Sequence, residues 1–310
     1  MTTARQPVTT GDIVAQGLRG KKGDVKSLLF EGALLLSLLI SLLFLIILLV
    51  DVVGKGIGVL LDRGGSFLSS GLSSFAERAG VGQGIFGSLV MLVFVVVLAF
   101  PIGVAAAIYL EEYAKDTKFN RFIDVNIRNL AGVPSIVYGL LGVAIFVLVL
   151  APLTGGASYI AGGLTLAVLV LPIIIITSAE ALRAVPDSIR EAGFGVGATR
   201  WEVVRSHVLP VAAPGILTGT VLSISRALGE TAPLLLVGAV TGFVATGDAS
   251  LGEQLQGPFA TLPTTIFAWA SEPDAEFRAL TQAAIIVLLA VILTANAIAI
   301  FLRNRYERKW

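Results

Sequence analysis

Cysteine is absent from the chain and histidine occurs once, at His207. Disulfides, thiolate nucleophiles and multi-histidine metal sites are thereby excluded. Charge is scarce too, at 14 % of residues, and it nearly cancels to a formal +1, so nucleic acid is not an expected partner. No glycine-rich loop ends in Gly-Lys followed by Ser or Thr, so the chain has no P-loop nucleotide site. Gly82, Gly84 and Gly87 fit the GxGxxG spacing of dinucleotide-binding folds, but no strand precedes them and the following helix is apolar enough to cross a membrane. That match reads as chance in a chain with 34 glycines. An intramembrane enzyme lacks its parts as well: there is no aspartate pair within a span, and His207 lies in a connection away from any span serine.

What is abundant is apolar surface. Hydrophobic residues make up 55 % of the chain and the mean hydropathy is +0.90, more than a soluble domain of 310 residues could bury in one core. A membrane span needs about 20 mostly apolar residues. Six segments qualify: Leu28 to Val50, Ile85 to Leu110, Leu130 to Leu150, Tyr159 to Leu182, Ala213 to Val240 and Leu280 to Leu302. The expected fold is therefore an all-α polytopic membrane protein of six transmembrane helices. The first stretch is too long for a signal-peptide core and has no small-residue cleavage pattern after it, so it is expected to be retained as a span.

Lys and Arg set the orientation. Arg5, Arg19, Lys21, Lys22 and Lys26 precede the first span; Lys115, Lys118, Arg121 and Arg128 fill the second connection; Arg183, Arg190, Arg200 and Arg205 fill the fourth; Arg303, Arg305, Arg308 and Lys309 follow the last. Only Lys55, Arg63, Arg78 and Arg278 fall on the other side, so the positive-inside rule places both termini in the cytoplasm. The expected organisation is a cytoplasmic tail over 1–27, a permease domain over 28–302 and a cytoplasmic tail over 303–310. A cytoplasmic loop spans 183–210 and an outer loop 241–279. In that outer loop Asp248, Glu253, Glu272, Asp274 and Glu276 accompany Phe259, Phe267 and Trp269. The combination suits either the docking of a soluble protein or interfacial anchoring.

The cytoplasmic loop carries the most specific motif: Glu191, Ala192, Gly193, three residues, Gly197, nine residues, then His207, Val208, Leu209 and Pro210. Pro186 suits the first turn of a helix, Gly197 breaks it, and Thr199 with Glu202 forms a capping box for a second helix. Pro210 is expected to force a turn before the next span. The pattern resembles the EAA loop of ABC importer permeases, EAAxxxG followed nine residues later by IxLP, with Gly193 replacing the second alanine and His207 the isoleucine. The resemblance implies that Glu191, Ala192, Gly193, Gly197, Leu209 and Pro210 belong to a coupling element seated on an ATPase subunit.

A charged pair marks the fifth span. Arg226 and Glu230 stand four residues apart in apolar sequence, and an arginine near the bilayer centre costs roughly 2.5–3.5 kcal/mol even on lenient scales. At about 100° per residue, Gly219, Ser223, Arg226 and Glu230 share a narrow arc and are expected to form a polar stripe lining a path. A planar guanidinium can grip an oxyanion with two parallel hydrogen bonds, so a small anion is the expected cargo. A structural ion pair is the alternative from the residues alone.

The segment Ser225 to Leu235, reading SRALGETAPLL, is similar to that of the phosphate-specific transport (Pst) permeases, the A-type subunit in particular. Asn129 to Gly139 and Leu262 to Ala270 look like two further segments of that family. The resemblance implies a type I (MetI-like) ABC importer bundle in the inner membrane, moving inorganic phosphate inward by alternating access. It implies a C-type paralogous permease, an ATPase dimer and an external phosphate-binding protein as partners. This chain is then no enzyme and holds no cofactor; ATP and Mg bind the ATPase. Arg226, Glu230 and Ser223 are the expected path residues. Another oxyanion such as sulfate or molybdate is the runner-up cargo, and an anion channel or membrane scaffold the reading of another class.

Overall fold

The computed structural model describes residues 25–239 and 250–306. The expected N-terminal tail up to residue 24, residues 240–249 of the expected outer loop and residues 307–310 of the expected C-terminal tail lie outside the described residues. Among the described residues the chain is helical and contains no strand. We label its helices α1 Val25–Ser69, α2 Gly82–Tyr113, α3 Lys118–Ala131, α4 Ser135–Val149, α5 Tyr159–Arg183, α6 Asp187–Gly195 and α7 Arg200–Gly229. They are followed by α8 Ala232–Val237, α9 Leu251–Leu255, α10 Leu262–Ala270 and α11 Glu276–Tyr306. Five of these are long and apolar enough to cross a membrane, and a sixth crossing results if the bent pair α3 and α4 is one span.

Residues up to Asp51 form one unit, represented by the first part of α1, in which every residue from Val25 to Asp51 is exposed. Such an unburied helix, apolar all round from Ala33 to Val50 apart from two serines, has lipid as its natural surrounding. The second unit begins at Val52. There the remainder of α1 becomes one-sided: Val52, Gly56 and Phe67 are buried at helical spacing, and a Cβ on Gly56 would stand 2.7 Å from the backbone of Gln282 and Ala283 in α11. With 45 residues, α1 has about twice the number that a bilayer crossing needs. The expected span of 28–50 is thus only its first half, because the amphipathic pattern after Asp51 finds a packing partner and continues the helix.

The core of the second unit is organised around α5, whose faces are buried along most of its length. In its middle, Val95 and Ala99 of α2, Leu166, Val170 and Ile174 of α5, and Ile224 and Leu228 of α7 form one cluster. At one end, Ala107, Ile175, Leu182, Val203 and Ile216 form a second cluster beside the 183–210 connection. At the other end, Phe67, Leu72, Leu262, Trp269 and Phe277 form a third. The aromatic residues of the expected outer loop mostly belong to this packing rather than to a docking or anchoring surface. Phe259 is fully buried against Tyr159, and Trp269 is buried between Phe67 and Phe277; Phe267 alone of the three is exposed.

The glycines of the apparent dinucleotide motif have a packing role here. A Cβ on Gly87 would stand 1.8 Å from the carbonyl oxygen of Ala260, and one on Gly84 3.3 Å from Leu262 N. The chain entering α10 is laid against this bare helix face, and Ser88 Oγ accepts a hydrogen bond from Leu262 N at 3.0 Å.

Two expected spans are broken. The third bends by 102° between α3 and α4, where Pro134 lacks the N–H needed to continue a helix and is itself extended at ψ 137°. Leu130, the expected start of the span, therefore lies in the last turn of α3, an amphipathic helix that ends at Ala131, and the span itself starts at Ser135. The fifth breaks at Glu230 and Thr231, because the Pro233 ring is incompatible with a helical carbonyl four residues earlier, at Gly229.

Two other prolines are absorbed without a break. Pro101 and Pro210 each follow within two residues a stretch of π-helix, at Val95–Ala99 and Val204–Val208 respectively. A π-turn closes i to i+5 bonds, so the widened backbone relieves the clash with the preceding turn. Pro210 consequently does not force the expected turn: α7 runs from the connection directly into the span.

Candidate functional site

Arg226 lies in the last turn of α7 and Glu230 just beyond its end, with extended backbone at φ −75° and ψ 129°. They are not on one continuous helix face as expected, yet Arg226 Nε is 3.3 Å from Glu230 Oε1. The break itself makes this pairing, since Glu230 N remains bonded to Ala227 O while its side chain leaves the helical path. Glu230 is the more enclosed partner, its side chain 16 % exposed against 46 % for Arg226. At 3.3 Å the contact is longer than a typical charge-assisted bond and uses one of the five donors of the guanidinium.

The expected polar stripe divides in two. Ser223 is fully buried, and its hydroxyl donates to Gly219 O at 3.0 Å. Gly215, Gly219, Ser223 and Ala227 recur every four residues and form a seam of small side chains rather than a path wall. A Cβ on Gly215 would stand 2.7 Å from Ala181 Cβ, and one on Gly219 2.2 Å from Thr177 Oγ1, both on α5. Small residues at this spacing allow membrane helices to approach backbone to backbone. Ser223 thus lies buried in this seam, and Arg226 stands at its exposed edge.

Around the pair, the structure gathers two of the three family-like segments. Gly139 of α4 touches α8 so closely that a Cβ would stand 2.7 Å from Pro233 Cα. Tyr138 is buried beside it, donates to Leu130 O at 2.8 Å, and lies within electrostatic reach of Arg226. On the other flank, Ser225 Oγ is 2.9 Å from Asn296 Oδ1 of α11. The third segment, Leu262 to Ala270, belongs instead to the cluster at the Phe67 and Trp269 end. Sequence reading missed Asn296, whose signal was an amide within an apolar span, and it missed the helix break, whose signal was the four-residue interval from Gly229 to Pro233.

The loop folds as its sequence suggests. Pro186 precedes α6, Gly197 adopts φ +83° that suits glycine alone, and the Thr199 and Glu202 capping box is complete, with Glu202 N donating to Thr199 Oγ1 and Thr199 N to Glu202 Oε2. Glu191 and Ala192 are exposed, whereas Gly193 is buried against Val203, whose Cγ2 would be 2.7 Å from an added Cβ. Gly193 therefore joins the two halves of the loop. Leu209 and Pro210 are half-buried and line an apolar cavity of about 570 Å³ with Phe100, Val104, Ala213 and Ile216. Three apolar side chains that sequence reading did not single out stand on this polar loop: Phe194, Val196 and Trp201 are 48, 84 and 54 % exposed. His207 is exposed in the π-turn.

Residues 99–310 match the family described as binding-protein-dependent transport system inner membrane component. The phosphate transport system permease protein PstA of Yersinia pestis is 35 % identical over 277 residues, 87 % of this chain and 88 % of its own length. That of Mycobacterium leprae is 37 % identical over 229 residues, 73 % of this chain and 72 % of its own. Solved structures share the fold at low identity. A chain of the bacterial alginate ABC transporter superposes with a TM-score of 0.65 at 13 % identity, covering 94 % of this chain and 99 % of that one. A chain of the inward-facing MetNI methionine ABC transporter does so at 0.57 and 16 %, covering 74 % and 96 %. With its multi-pass helical bundle of type I importer architecture, the chain belongs to the inner-membrane components of binding-protein-dependent transport systems.

Proposed function

We infer that the chain is a membrane permease subunit of an ATP-driven importer that carries inorganic phosphate into the cell. The observation that carries this reading is the Arg226 and Glu230 pair at the break between α7 and α8, within sequence shared with phosphate permeases. Arg226 is committed to Glu230 through a single long contact, and its side chain is half-exposed. Its remaining donors suit two oxygens of a tetrahedral oxyanion. An incoming anion competes with Glu230 for the guanidinium, and departure of the anion restores the pair. The site then never holds an uncompensated positive charge, which matters where the surroundings are apolar.

In this reading both termini and the 183–210 loop face the cytoplasm. Glu191, Ala192 and the exposed Phe194, Val196 and Trp201 form the surface that meets the ATPase. Apolar side chains raised on a capped, glycine-jointed pair of helices supply contact area that a merely solvated loop does not need. ATP and Mg bind the ATPase dimer, and this chain supplies no catalysis. A C-type permease completes the path, and an external binding protein delivers phosphate from the opposite side. Alternating access then opens the gap beside Arg226 to one side at a time.

The test is uptake by proteoliposomes holding the complete complex and its binding protein. Radiolabelled phosphate is expected to accumulate only with ATP and binding protein present. Sulfate or molybdate entering at a comparable rate, or phosphate entering without ATP, contradicts the reading.

A further inference from the structure

Three consecutive side chains at the end of α2 hold three arginines drawn from three places in the 183–210 connection. Glu111 pairs with Arg183, the last residue of α5. Glu112 pairs with Arg190 of α6 at 2.8 Å. The ring of Tyr113 lies under the guanidinium of Arg200, the first residue of α7, 5.7 Å from its centroid. The π-turn Tyr109–Tyr113 forms this grip, and the backbone leaves the helix immediately after it, at Ala114.

Arg190 is the centre of the grip. Its Nε and Nη2 fork onto Glu112 at 3.2 and 2.8 Å, Nη2 also donates to Leu182 O at 2.9 Å, and Nη1 donates to Val185 O at 2.7 Å and Asp187 Oδ1 at 3.2 Å. Every donor of the guanidinium is thereby engaged. The pair is enclosed, with side chains 19 and 8 % exposed. The hydrogen bonds that Arg190 donates to the Glu112 carboxylate hold it above the usual arginine range, so its charge stays on at any working pH.

The covalent connections are weak levers by comparison. Residues 184–186 join α5 to α6 outside helical structure, and Gly197 at φ +83° lies in the joint between α6 and α7. A helix hinged at both ends can swing without moving the spans. Arg190 closes the first hinge by binding the Leu182 carbonyl near the end of α5, the Val185 carbonyl within the hinge, Asp187 at the start of α6 and Glu112 at the end of α2 at once. Further along, α2 is packed on α5: a Cβ on Gly103 would stand 2.6 Å from Ile174 Cγ2.

We propose that the Glu111, Glu112 and Tyr113 turn is the bracket that makes α2 and α5 follow the docking loop, with Glu112 and Arg190 as its positioning residues. The proposal rests on the reading of the loop as the ATPase contact. It differs from that reading in placing the transmission step inside this chain, at side chains that bind one another.

The test compares wild type, Glu112→Gln, Tyr113→Leu and Tyr113→Phe in proteoliposomes of the whole complex, with phosphate uptake and ATP hydrolysis measured together. The bracket predicts that Glu112→Gln and Tyr113→Leu keep hydrolysis while uptake per ATP falls about 5-fold or more, and that Tyr113→Phe, which keeps the ring, stays at the wild-type ratio. An unchanged ratio in both Glu112→Gln and Tyr113→Leu overturns the proposal; if Glu112→Gln does not assemble, Tyr113→Leu alone decides. The chain has no cysteine, so Val196→Cys in the otherwise unaltered complex gives a unique handle for thiol cross-linking to the ATPase. Without that cross-link the docking reading falls and the bracket with it. With the cross-link and an unchanged ratio, the bracket alone falls.

Discussion

Replacing Gly219 by alanine sets two physical effects of opposite sign against each other. Helix propensity alone favours the substitution by about 0.5–1 kcal/mol in a helix interior. The seam between α5 and α7 opposes it, because the new Cβ would stand 2.2 Å from Thr177 Oγ1 and 2.4 Å from Thr177 Cβ. Rotating the threonine relieves the first contact but not the second, since Cβ is fixed to the backbone. The helices must then separate by about 1 Å, and overpacking of this kind costs about 1–3 kcal/mol. The net expectation is a loss. Gly58 supplies the control, because an added Cβ meets nothing within 4 Å and Gly58→Ala is expected to be neutral or stabilising. Unfolding in detergent, followed through the fluorescence of buried Trp269, gives the comparison. Combining Gly219→Ala with Thr177→Gly removes both close contacts, and a favourable coupling of about 0.5–3 kcal/mol is expected in the cycle. If Gly219→Ala proves as stable as Gly58→Ala, the small-residue seam between α5 and α7 is not a close contact.

Other expectations follow from single contacts. Ser88→Ala leaves the buried Leu262 N–H without its acceptor and is expected to cost about 1–3 kcal/mol in the same unfolding assay; a loss below a few tenths contradicts it. Gly87→Ala is expected to displace the chain around Ala260, read as faster proteolysis or hydrogen exchange over 257–262, because its Cβ would fall 1.8 Å from Ala260 O. Thr199→Ala removes the cap of α7, with a local cost of about 0.5–2 kcal/mol, visible as faster exchange over 200–203 while exchange in the span is unchanged. Arg226→Lys is expected not to restore transport, because a point charge cannot present a planar fork to two oxygens; wild-type uptake by this variant refutes direct two-oxygen recognition.

The spans were legible in sequence because lipid imposes a simple requirement, a long apolar run with its backbone bonds satisfied internally. Where that rule acts alone, as in α5, the expected and observed limits nearly coincide: Tyr159 to Leu182 against Tyr159–Arg183. The loop was legible for another reason, since Pro186, Gly197 and the Thr199 and Glu202 box act over three or four residues and need no distant partner. The failures occur where two local signals compete or a remote partner decides. Pro210 and Pro233 look alike in sequence, yet a π-turn absorbs the first and a helix break accommodates the second. Ser223 and Arg226 share an arc on a helical wheel, but in the folded chain Ser223 is fully buried and Arg226 is half-exposed. The bracket at Glu111 and Glu112 was hidden because its partners are 72 and 78 residues away.

Arg226→Gln in the reconstituted complex tests the central claim most directly, with binding-protein-dependent phosphate uptake and ATP hydrolysis measured beside wild type and Glu191→Ala. A path residue predicts normal assembly with uptake lost in Arg226→Gln, while loss of stimulated hydrolysis in Glu191→Ala reports the docking loop separately. Uptake that persists in a fully assembled Arg226→Gln complex makes the Arg226 and Glu230 pair structural and contradicts the account.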